Sequence, residues 1–127
     1  MSNHFNKLTP AEFERLAILG EELGEAQQVI GKILRHGYES YNPTIPVPED
    51  KRPIINRWLL EKELGDVLWA MRAMYAAHDI SGEYIEKASI EKGPRAAKYL
   101  HHQPVKHEPA SCCGGVGCNS CESQGRG

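Results

Sequence analysis

Apolar residues recur at helical spacing through two long stretches of this chain, and nowhere do they alternate as a strand requires. Thr9-Pro10-Ala11-Glu12 is a capping box with proline at the first helical position, a strong helix start. Phe13, Leu16, Leu23, Ile30, Ile33 and Leu34 then mark one stripe up to Gly37, read as a left-handed stop. This helix is expected to run about 26 residues, or about 39 Å. Gly20, Gly24 and Gly31 interrupt it, each costing about 1 kcal/mol relative to alanine. Close approach of another helix explains all three, and access for a ligand explains Gly24 equally well. Tyr38–Arg52 holds Pro43, Pro46 and Pro48 and is predicted to be a long ordered loop. A second helix is expected to open at Pro53, with Ile54, Trp58, Leu64, Val67, Leu68, Met71 and Met74 as its stripe and Trp58 and Trp69 in the core. After a turn over Asp79 to Gly82, a third helix is expected to Lys92, a break at Gly93-Pro94, and a short fourth helix through Arg95–His102. The predicted fold class is all-α, a four-helix bundle.

The length of 127 residues fits one domain, expected over 1–102, and the net charge of −2 provides no broad footprint for DNA or RNA. Apolar runs are too short to span a bilayer, and Met1–Pro10 lacks the apolar core of a signal peptide. The expected setting is the cytoplasm, with no nucleic-acid polymer and no membrane as partner. Residues 103–127 are rich in Pro, Gly, Ser and Cys and cannot bury enough surface to offset ordering, so a disordered tail is expected there. All of the 4 cysteines, Cys112, Cys113, Cys118 and Cys121, fall in it. Three readings fit them: a site for Zn²⁺ or another thiophilic metal, an oxidisable tail, or a redox or assembly role.

Chemistry enters with two acidic clusters, Glu21-Glu22-Leu23-Gly24-Glu25 and Glu63-Leu64-Gly65-Asp66, one on each long helix. At 100° per residue, Glu22 and Glu25 share a face, as do Glu63 and Asp66. Either cluster alone fits an ordinary charged helix surface. Two clusters with the same spacing and the same internal Leu-Gly, on consecutive helices, favour convergence. Converging carboxylates repel and lose water, costs that a hard divalent cation relieves. An all-oxygen set suits Mg²⁺, with Mn²⁺ as a substitute. A carboxylate-bridged di-iron bundle is the alternative, although that chemistry favours Glu-x-x-His pairs. A non-enzymatic helical interaction module with a metal-binding tail is a further alternative.

Glu21-Glu22-x-x-Glu25 followed by Glu63-x-x-Asp66 resembles the EExxE…ExxD signature of the MazG-like, all-α nucleoside triphosphate pyrophosphohydrolases, here a compact, phage-type single-domain form. The resemblance spans about residues 10–102. It implies Mg²⁺-dependent hydrolysis between the α- and β-phosphates, giving a nucleoside monophosphate and pyrophosphate. It also implies that Glu22, Glu25, Glu63 and Asp66 bind the metal and that Glu21 orients or deprotonates the attacking water. Phosphate-binding cations are expected in the later region, from Lys87, Lys92, Arg95 and Lys98, with Lys92 the first choice. No GxxxxGK[ST] phosphate loop is present. Tyr41 and Asn42, in a loop combining aromatics with hydrogen-bonding side chains, and Asn56 and Arg57 beside the second acidic motif are candidates to read the base. Amphipathic helices in so small a domain need a further surface, so a homodimer or homotetramer is expected.

Overall fold

The computed structural model describes residues 5–103, so the expectations for the tail and its cysteines lie outside the described residues. Those residues form α1 (Pro10–His36), α2 (Asn56–Ala76) and α3 (Gly82–Ala97), joined by loops with one isolated antiparallel bridge, Tyr41 to Ile55. The all-α expectation holds. No helix among them is long and apolar enough to cross a membrane.

The start of α1 follows its sequence signal. Thr9 accepts from the Glu12 amide at 3.2 Å, while the Glu12 carboxylate accepts from the Thr9 amide at 3.1 Å. The helix ends at Gly37, as expected, but in a different conformation. Gly37 has φ 89° and ψ 166°, outside the left-handed helical region, while its amide still closes the last turn on Ile33 at 2.7 Å.

The second helix begins at Asn56 rather than Pro53. Ile55 is extended (φ −82°, ψ 159°) because it pairs with Tyr41, and a helix cannot start until that pairing ends. The Asn56 and Arg57 amides donate to the Ser40 and Tyr38 carbonyls at 2.8 and 2.9 Å, so the loop's own backbone caps this helix. The Asn56 side chain, which is buried, donates to the Gly37 carbonyl at 3.0 Å. At the opposite end, Arg15 grips Asp79 through two bonds of 2.5 and 2.9 Å. With both ends tied in this way, α1 and α2 run antiparallel.

The expected break at Gly93-Pro94 does not occur, and the third and fourth predicted helices are one, α3, with Pro94 inside it. The described residues therefore contain three helices, not a four-helix bundle. Proline costs a helix the amide bond to residue i−4 and crowds that carbonyl, but Pro94 lies in the last turn of α3, and the added restriction on the preceding residue is eased because Gly93 has no Cβ. The chain divides into two compact units at Ser81/Gly82, and α3 belongs to the second. It buries no residue.

The core of the first unit is narrow. Ala26 and Val29 on α1 and Ala70 and Met74 on α2 are the buried apolar side chains. The stripe expected in the core is largely open instead: Phe13, Leu16, Leu23, Ile30, Leu34, Leu64 and Leu68 are exposed. Trp58 and Trp69, also expected in the core, are 44% and 60% exposed. Two helices share a single interior line, and these positions flank it. A Cβ built on Gly20, Gly24 or Gly31 meets nothing within 4 Å, so no helix among the described residues packs against them.

Candidate functional site

Counting 100° per residue from the buried line, Glu22 falls beside Ala26 and Val29, and Glu63 beside Ala70. Both glutamates therefore face inward, where α1 and α2 meet. Glu25 and Asp66 sit on one flank of that line. The geometry agrees: Glu22, Glu63 and Asp66 offer carboxylate oxygens within 4.8 Å of one another. The Glu63 side chain is 13% exposed and that of Asp66 is 42% exposed. Glu22 Oε2 and Glu63 Oε2 are buried and accept no hydrogen bond.

Lys62 is the cation nearest the group. It donates to Asp66 Oδ2 at 2.8 Å and lies 3.5 Å from Glu63 Oε2. Among the described residues, no cation pairs with Glu22 or Glu25. The Glu25 carboxyl is held above its ordinary value, first by the charge of Glu63, then by loss of water, then by Glu22. The cluster thus carries more negative charge than Lys62 alone relieves. A divalent cation takes oxygen ligands at roughly 2.0–2.6 Å. Oxygens within 4.8 Å of one another are within the span of one such ion. The donor set is all oxygen, hard, and partly orphaned, and it fits Mg²⁺ or Mn²⁺. No histidine belongs to the group.

The other candidate residues are placed differently. Glu21 is exposed, next to Glu22 but outside the converging set. Tyr41 is engaged through its backbone in the bridge to Ile55. Asn42 folds back on its own loop, its Oδ1 accepting from the Thr44 amide at 3.0 Å and the Thr44 hydroxyl at 2.7 Å. Asn56 holds the loop to the end of α1. Arg57 pairs with Glu39 and lies 4.6 Å from the centre of the Tyr38 ring. Lys92, Arg95 and Lys98 all lie in the second unit and are exposed. Arg95 Nε donates to the Glu91 carbonyl at 3.4 Å, and Lys98 sits 5.0 Å from the Tyr99 ring.

Sequence reasoning passed over a second feature of the first unit. A cavity of about 770 Å³ lies between the end of α1, the 42–54 loop and the start of α2. Lys32, Arg35, Lys51 and Arg52 line it, together with Tyr41 and Ile54. The available signal was the basic pair Lys51-Arg52 ahead of Pro53, set against Lys32 and Arg35 in the closing turns of α1. No family profile, curated protein or solved structure matches the chain.

Proposed function

We propose that this protein is a Mg²⁺-dependent nucleoside triphosphate pyrophosphohydrolase, cleaving between the α- and β-phosphates. The observation that carries the reading is the meeting of Glu22, Glu63 and Asp66 at the α1–α2 line, with two buried carboxylate oxygens that accept no hydrogen bond. Helix packing alone does not favour that arrangement, because removing a carboxylate from water without a partner is costly.

Glu22, Glu63, Asp66 and the neighbouring Glu25 would hold the metal. Bound there, Mg²⁺ reverses the local field, screens the phosphate oxygens and lowers the pKa of water. The remaining chemistry belongs to the chain. Water oxygen bonds to the α-phosphorus, the bond from that phosphorus to the oxygen bridging to the β-phosphate breaks, and pyrophosphate leaves. Glu21, exposed beside Glu22, is the group assigned to take the water's proton. Mn²⁺ would substitute, since it accepts the same oxygen ligands. The exposed leucines and tryptophans support a homodimer or homotetramer as the working form.

The test is a panel of canonical and modified nucleoside triphosphates with Mg²⁺, resolving pyrophosphate from orthophosphate, with Glu63→Gln in parallel. The reading expects monophosphate and pyrophosphate from at least one substrate, and a loss of at least 100-fold in the variant. Orthophosphate as the product, or undiminished turnover by Glu63→Gln, would overturn it.

A further inference from the structure

The cavity beside the 42–54 loop has the composition of a receptor for a phosphate-bearing small molecule, and it is separate from the acidic cluster. Its neck is firmly built. Tyr41 pairs with Ile55, the Asn56 and Arg57 amides donate to Ser40 and Tyr38, and Arg57 is tied to Glu39. A segment whose ends meet in this way and which packs on itself is an Ω-loop, a frequent carrier of binding function. The space it borders, about 770 Å³, is the size that takes a small molecule.

The charge around that space is one-sided. Lys32, Arg35, Lys51 and Arg52 line it, and none of their side chains has an ion-pair or hydrogen-bond partner among the described residues. Glu39 is the acidic side chain in the lining, and Arg57 already neutralises it. Gathering four like charges costs energy that no ion pair among the described residues returns. Arg35, in the last turn of α1, also complements the helix dipole, but Lys51 and Arg52 sit on the loop and have no such role. The start of α2 provides no anion site of its own, because its first amides are spent on Ser40 and Tyr38. Recognition therefore falls to the side chains. Guanidinium and ammonium groups together are a phosphate-binding set. Much of the rest of the wall is apolar, with Tyr41, Ile54 and several prolines. That surface suits a flat base.

We infer that this cavity binds a nucleotide without divalent metal, its phosphates on Lys32, Arg35, Lys51 and Arg52 and its base against Tyr41 and Ile54. Lys32 lies seven residues beyond Glu25 on the same face of α1, about 10 Å along the axis. Two sources of the ligand share this chemistry: the same nucleotide that the acidic cluster takes up when metal is bound, or a second nucleotide. The inference stands apart from the hydrolytic reading, because it concerns binding with metal removed.

The experiment is equilibrium binding of a fluorescent (mant-labelled) ATP to the full chain in EDTA, with inorganic tripolyphosphate as competitor. Saturable binding is expected, weakened by added salt, unchanged in Glu63→Gln, and at least tenfold weaker in Arg35→Glu/Lys51→Glu. Lys51→Gln, a single change on an exposed loop, serves as the folding-neutral variant and is expected to weaken binding several-fold with unaltered helical circular dichroism. Saturation of the parent chain with the non-hydrolysable α,β-methylene ATP and Mg²⁺ separates the sources: one nucleotide per chain marks a shared ligand, two mark a second one. No binding in EDTA, or equal affinity in the charge-altered variants, overturns the inference even if hydrolysis is found.

Discussion

Two carboxylates of the first unit have opposite relations to folding, and pH separates them. Asp79 is held below its ordinary value of 3.8, chiefly by the hydrogen bonds from Arg15. Its stabilising effect is therefore complete above that value and is lost as pH falls through the lower folded one. Glu25 is raised from 4.5 by Glu63, by loss of water and by Glu22, so ionising it costs more in the folded chain than in the unfolded one. That cost is present above the raised value and absent below 4.5. Thermal melts without divalent ions should show Asp79→Asn lowering Tm at neutral pH, with the deficit shrinking in strong acid. Glu25→Gln should raise Tm at neutral pH, and the gain should vanish below the carboxylate range. A neutral-pH Tm for Glu25→Gln at or below that of the parent would contradict the repulsion argued for the cluster.

At the scale of elements, the signals that proved reliable are those with a local cause. The Thr9-Glu12 capping box is reciprocal in the structure, and Thr9→Ala is expected to cost about 1 kcal/mol in denaturant unfolding. Gly31 meets nothing where a Cβ would stand, so Gly31→Ala should gain up to about 1 kcal/mol. A loss instead would place another chain against that face. Both long helices, the loop between them and the pairing of acidic motifs across them were legible, because capping chemistry, prolines and spacing act within a few residues. The start of α2 was not legible, since the bridge from Tyr41 to Ile55 sets it across a loop. Nor was the continuity of α3, which ends within a turn of Pro94 and so loses little to it. The basic cavity was hidden because Lys32 and Arg52 meet only after the chain turns back.

For the whole molecule, the open question of packing is where so much apolar surface goes. Helical positions put Leu16, Leu23 and Ile30 on the flank of α1 away from Glu25, and Leu64 and Leu68 on the continuing flank of α2. All five are exposed, while only small or flexible side chains such as Ala26, Ala70 and Met74 fill the interior. Surface of this kind on a core this slight is covered in a stable protein, and symmetric self-association is the commonest cover. Sedimentation equilibrium should therefore return a dimer or tetramer mass, and Leu23→Lys should shift it toward the monomer. A monomer at all concentrations would contradict this.

The central claim is that Glu22, Glu63 and Asp66 converge to hold a divalent cation, and electron paramagnetic resonance of Mn²⁺ tests it most directly. Titrated into the protein, Mn²⁺ should lose its free-ion signal at a stoichiometric site, regain it on addition of excess Mg²⁺, and bind at least tenfold more weakly to Glu63→Gln and to Glu22→Gln. Persistence of the free-ion signal at millimolar protein, or equal binding by the parent and both variants, would contradict the account.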